Sequence, residues 1–209
     1  MSNALALAIA SEFRDRGMEG VMPSSSEGSK SSGSERRLAG GIGAKKVDVT
    51  WATEESGLIL AASVKTIMFR DSASKNFQKN LVNRRGDMLI EAVTLHRRFP
   101  YAVLIGLLFL DVGATRDGTE RRKSTFANAF PRTRLFTRRP DPAGREEQFE
   151  RLYLLTIDTD PESPSVHAFE VNSPDREVPI AQIIDDAMEL VAERNVDLYE
   201  VESGRIRKL

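Results

Sequence analysis

Two charged side chains stand where apolar ones are expected. Asp48 interrupts the run VDVTWA and Lys65 interrupts LILAASVKTIMF, with the polar tetrad Thr53, Glu54, Glu55, Ser56 and then Gly57 between them. Runs rich in β-branched residues around such a tetrad predict two antiparallel strands joined by a tight turn. Strands this short let the carboxylate and the ammonium converge at one end of a sheet. Burying either charge unpaired costs on the order of several kcal/mol, so an ion pair, a metal or water must compensate it. A purely structural Asp48–Lys65 pair is the alternative to a chemical site.

The elements that must hold these residues follow from periodicity. From Asn3 to Arg16, Leu5, Ile9 and Phe13 recur at four-residue spacing, the apolar face of a helix. Val21 to Arg37 is rich in Ser and Gly and cannot bury enough apolar surface to offset its ordering entropy, which predicts a flexible loop. The expected organisation is an N-terminal helix over 1–20, this loop over 21–40, and one α/β domain over 41–209. LAGGIGAKK leads into a strand and not a helix, so it completes no phosphate loop.

After the hairpin, RDSASKNFQKNLVNRRGD predicts an exposed basic loop, with a helix from about Asn83 up to Pro100. On that helix Met88, Leu89, Ala92, Val93 and His96 share an apolar face, and Arg84, Asp87, Glu91 and Arg98 run along its edge. YAVLIGLLFLD is apolar on both alternating faces and predicts a buried central strand ending at Asp111. In TERRKSTFANAFPRTRLFTRR, basic residues accompany Phe126, Phe130 and Phe136, and Pro131 should break any continuous helix. EEQFERLYLLTIDTD predicts a short helix turning into strand near Leu152, VHAFEV its neighbouring strand, and PIAQIIDDAMELVAERN an amphipathic helix. A helix feeding a buried strand implies a mixed central sheet flanked by helices, an α/β class.

Composition narrows the chemistry. The 209 residues include no Cys, which excludes disulfides and thiolate metal sites and fits a reducing, cytoplasmic setting. MSNALALAIA lacks the basic first region of a signal peptide, and Tyr101 to Leu110 is half the length of about twenty that a membrane span needs, so a soluble protein is expected. His96 and His167 lack companion ligands, and His96 reads as a packing residue. The net charge of −1 conceals two halves. Residues 65–98 hold eight Lys or Arg against three acids and 114–145 nine against three, whereas 146–202 hold sixteen acids and three Arg. One face can therefore receive a polyanion while another repels it.

The order helix, hairpin, helix, buried strand, with Asp48 in the first arm and Lys65 closing Ser-Val-Lys in the second, resembles the core of the PD-(D/E)xK nuclease superfamily over about Val47 to Asp111. The resemblance implies a restriction-endonuclease-like fold in which Asp48 and an acid two residues before the Lys bind a divalent metal, while Lys65 aligns or activates the attacking water. Ser63 stands at that acidic position here, and Val47 stands where the family name has Pro. Some members with this Ser-Val-Lys form place the acid on the following helix, which makes Glu91 the substitute and Asp87 the second choice. Glu54 and Glu55 in the turn belong at the far end of the strands.

The implied catalytic group is Asp48, Lys65, Glu91 and Ser63, with Asp48 and Glu91 holding Mg²⁺, or Mn²⁺ in its place. Lys65 is expected to have a lowered pKa beside the metal. Lys75, Lys79, Arg84 and Arg85 would contact flanking phosphates of double-stranded DNA. An ion pair of Glu91 with Arg84 or Arg98 is its structural alternative. The implied function is a metal-dependent DNA endonuclease of the type II restriction kind, for which a homodimer on a palindrome would be natural. The Ser63 departure favours the other reading, a catalytically inactive nuclease-fold protein that binds DNA or a protein partner.

Overall fold

The computed structural model describes residues 1–24, 36–39 and 44–209. Helix α1 (Ser2–Asp15) is followed by a two-stranded ribbon of β1 (Arg36–Ala39) and β2 (Ala44–Val47), then by β3 (Val49–Thr53) and β4 (Gly57–Ile67). Helix α2 (Gln78–Arg98) leads into β5 (Val103–Asp111), and α3 (Thr125–Thr133) precedes β6 (Arg151–Asp158), β7 (Ser165–Glu170) and β8 (Glu177–Val178). Helix α4 (Ile180–Arg194) and the hairpin of β9 (Tyr199–Glu202) and β10 (Arg205–Lys208) close the chain.

Strands β3 to β8 form one mixed sheet of six in chain order, antiparallel except where β4, β5 and β6 run parallel. Helices α1 and α4 cover one face and α2 and α3 the other. Along β5, Val103, Ile105, Leu107 and Phe109 enter the α1/α4 core, and Leu104, Leu108 and Leu110 enter the α2/α3 core. That two-sided burial is why this strand is apolar from Val103 to Leu110.

The hairpin turns at Gly57, whose φ of +68° favours glycine. Its register then shifts, Trp51 pairing with Leu60 and Ala52 with Leu58, so Ile59 is an extra residue. The bulge fixes the parity of everything after it. Leu60, Ala62 and Val64 join the α1/α4 core, while Ala61 and Ile67 join the α2/α3 core. Ser63 and Lys65 therefore share the α2 side. Trp51 is buried on the α1/α4 side against Tyr199, ring centroids 5.0 Å apart, and donates to the Glu19 carbonyl.

Several boundaries differ from the sequence expectation. Helix α2 begins at Gln78, five residues before Asn83, because Phe77 is buried in the α2/α3 core and its N–H donates to the Asp117 carboxylate at 3.1 Å. Pro131 lies inside α3, in its last turn, and the helix ends two residues later. The segment expected as a short helix before Leu152 is a turn, held open by Phe149 N–H on the Phe136 carbonyl and Glu150 N–H on the Leu104 carbonyl. Of the 21–40 stretch, Val21 is buried, Met22 bridges to Thr50 and Arg36–Ala39 pairs with Ala44–Val47; residues 25–35 and 40 lie outside the described residues. Among the described residues no helix is long and apolar enough to cross a membrane.

One buried ionic cluster pins the far end of α2. Glu150 receives Arg194 at 3.0 Å and Arg139 at 3.4 Å on one oxygen, and the Leu104 N–H at 2.7 Å and His96 Nε2 at 3.4 Å on the other. Burial alone would raise the Glu150 pKa, but these donors, led by His96, hold it below the usual carboxylate value. His96 is thus a packing residue that ties α2 to the entry of β6. Glu150→Ala leaves two buried guanidinium groups without their acid, and urea unfolding should show a loss of about 3–5 kcal/mol.

Candidate active site

The antiparallel ladder between β3 and β4 stops at Val49 opposite Ala62. Beyond that point the β4 edge needs another acceptor, and Asp48, at the bend between β2 and β3, supplies it. Its Oδ2 accepts from the Val64 backbone N–H at 2.8 Å and from Lys65 Nζ at 2.9 Å. From the other side α2 delivers Glu91, whose Oε2 is 3.0 Å from the same Nζ. The two carboxylate oxygens are therefore no farther apart than those contacts of 2.9 and 3.0 Å laid end to end.

Access is one-sided. The side chains of Lys65 and Asp48 are 15% and 16% exposed, whereas Glu91 is 1% exposed. Glu91 Oε1 and Ser63 Oγ are shut off from solvent, and neither makes a hydrogen bond of full geometry. Burial pushes the Glu91 pKa up; Lys65 only partly pulls it back, and Ser63 lies near enough to Glu91 to pull it down slightly. For Lys65 the balance is reversed: burial would lower its pKa, but Glu91 and Asp48 together outweigh it, and the ammonium is held above its ordinary value. The sequence expectation of a lowered Lys65 pKa concerns the amine beside a bound metal, where the ion would share both carboxylates. Two carboxylates within 3 Å of one amine favour its charged form more than burial opposes it.

Sequence reasoning missed one positioning residue, Gly106. It lies opposite Ser63 in the β4–β5 register, and a Cβ there would meet Leu152 Cδ1 and come within 2.8 Å of Met88 Cε. Met88 is one turn before Glu91 on α2, so a bare backbone at 106 lets the helix seat close to the sheet. The signal was present as a lone Gly inside a strand pattern, which marks close approach.

The other candidates separate from this centre. Asp87 pairs with Arg84 at 3.2 Å, both half-exposed, and does not join Lys65. Glu54 and Glu55 are exposed in the turn, Glu55 meeting Lys208 at 2.8 Å. Neither Arg84 nor Arg98 is the partner of Glu91; Lys65 is. Of the expected phosphate contacts, Lys75 is exposed in the loop before α2, Lys79 is 3.4 Å from Asp71, and Arg85 lies over the Phe136 ring at 5.8 Å.

Among the described residues no three His, Cys, Asp or Glu side chains gather as a metal cage. Two carboxylates nevertheless meet Mg²⁺ chemistry, because that ion keeps several waters and is commonly held by one or two carboxylates plus substrate phosphate. The partnerless Glu91 Oε1 is a hard oxygen donor of the required type.

The Lys65 shift has a sign that can be measured. A raised amine pKa contributes stability that is complete below about 10.5 and lost as pH rises through the higher folded value. Urea unfolding should therefore weaken above about pH 10.5, and Lys65→Met should flatten that alkaline decline. No family model, curated protein or solved structure matched the chain.

Proposed function

We propose that the protein is a metal-dependent endonuclease that hydrolyses phosphodiester bonds in double-stranded DNA, built on the restriction-endonuclease-like PD-(D/E)xK plan. Glu91 takes the place of the acid missing at Ser63. One observation carries the reading: Asp48 and Glu91 converge on a single ammonium, and Glu91 keeps one buried oxygen without a partner. With both acids ionised, the group would carry a negative charge uncompensated in a poorly hydrated place, which a dication would offset.

Mg²⁺ held by Asp48 and Glu91, or Mn²⁺ in its place, would supply neutralisation of charge growing on the scissile phosphate and leaving oxygen. The chain's own groups do the rest. Lys65, set between both carboxylates, would orient water or stabilise a phosphate oxygen. Ser63 Oγ, buried beside Glu91, can donate to the carboxylate and fix its rotamer. Lys75, Lys79, Arg84 and Arg85 contribute phosphate contacts along the first half of α2 and the loop before it. A homodimer would allow one subunit per strand, and a cytoplasmic setting fits the absence of Cys.

A second reading has its own support: both carboxylates are engaged by Lys65, and a third acid is absent from the group among the described residues. In that case the chain binds DNA or a protein partner without cutting. Plasmid and a mixed duplex panel incubated with Mg²⁺ or Mn²⁺ separate the two. Cleavage by the native chain is expected, with Asp48→Ala, Lys65→Ala and Glu91→Ala each slower by at least about 10²-fold. Undiminished cutting by any of these variants rejects the site. Mg²⁺ at a hundred times its Kd should also stabilise the native chain by about 2.7 kcal/mol; duplex binding with neither cutting nor that stabilisation assigns the inactive reading.

A further inference from the structure

A second polar concavity lies at the other end of α2. It encloses about 450 Å³ and is lined by Lys79, Arg122 and Arg132, with Gln78 and Asn128 beside them and Asp71 as its one acid among the described residues. Three cations face one carboxylate, and that carboxylate is already occupied: Asp71 accepts from the Ser74 N–H at 2.8 Å, the Ser74 hydroxyl at 3.0 Å and the Ala73 N–H at 3.2 Å. Lys79 reaches Asp71 only at 3.4 Å and is 72% exposed. Arg122 is held by the backbone carbonyls of Asp117 and Lys123, which fix its position and leave its charge intact. Arg132, exposed on α3, has no carboxylate partner among the described contacts.

A separate observation points to a ligand. Both polar atoms of the Gln78 side chain are shut off from solvent without a partner. Gln78 is the first residue of α2; its backbone N–H is held by Asn76 Oδ1 at 2.9 Å, while its side-chain amide is left over. An amide donor together with fixed and mobile cations suits a tetrahedral oxyanion.

We infer that this concavity is a phosphate subsite that takes a backbone phosphodiester of the same polynucleotide whose cleavage centre is at Lys65. The identity of that chain as nucleic acid rests on the function proposed above; the anion site does not. Gln78 and Glu91 are thirteen residues apart on one helix, a span of about 20 Å at 1.5 Å per residue. One strand of B-DNA advances about 3.4 Å per nucleotide, so the gripped phosphate lies roughly six nucleotides from the reacting one.

The test uses the full chain and the double variant Lys79→Ala, Arg132→Ala, both at exposed positions. Binding to a fluorescent duplex of about 24 base pairs is followed by anisotropy against salt. Loss of two phosphate contacts should weaken binding several-fold and reduce the salt slope by about two. An unchanged slope overturns the inference. Asp48→Ala, which leaves the concavity intact, should keep the native slope while losing cleavage, so failure of the nuclease reading and failure of this one are told apart. Inorganic phosphate is the second arm. Phosphate binding by the native chain and not the double variant, without any duplex effect, keeps an anion site and overturns the polynucleotide assignment. Equal competition by polyglutamate overturns the phosphate assignment.

Discussion

Two carboxylates and one ammonium are withdrawn from water together around Lys65, and their charges do not cancel. Each ion loses several kcal/mol of hydration in rough terms, while a contact between opposite charges at about 4 Å regains about 4 kcal/mol at an effective dielectric near 20. Three hydration losses set against two contacts do not make a stabilising device. The cluster is therefore poor evidence for a structural role, and Glu91, the most buried of the three, is its least satisfied member.

What forces the three together is backbone geometry. The extra residue at Ile59 sets the parity that turns Ser63 and Lys65 toward α2. The early end of the β3 ladder leaves the Val64 N–H for Asp48. Gly106 gives α2 the clearance to press Glu91 inward, and the Glu150 cluster anchors the same helix one turn beyond, through His96. Neither end of α2 is free to swing its acid back to solvent, because Phe77 and Asp117 fasten its beginning.

The parts of this arrangement that were legible in the sequence are those encoded by nearby residues. The hairpin, the twice-buried β5 and the amphipathic α4 each carry their own period, and Asp48 and Lys65 stand out as charges within apolar runs. Glu91 was readable as an edge residue of α2, but its depth was not. A helical wheel gives an angle, and the remaining burial comes from a glycine on another strand. The start of α2 was hidden for the same reason: a contact forty positions away overrides a polar, loop-like stretch. The cluster of His96, Arg139, Glu150 and Arg194 draws on four separated segments, so no local spacing announces it.

The uneven charge along the chain acquires a direction once the layers are assigned. The basic segments build α2, α3 and the loops before them, on the side that holds Lys65, while Asp185, Asp186, Glu189 and Glu193 of the acidic segment ride on α4 across the sheet. Helix layers of about 10 Å on either side of a sheet put these surfaces on the order of 20 Å apart. That exceeds the Debye length of about 8 Å at physiological salt, so the acidic face scarcely weakens the field of the basic one. A polyanion approaching the α2 side meets local cations and not the net charge of −1. The charge pattern therefore gathers the basic segments on the face where Asp48, Lys65 and Glu91 meet.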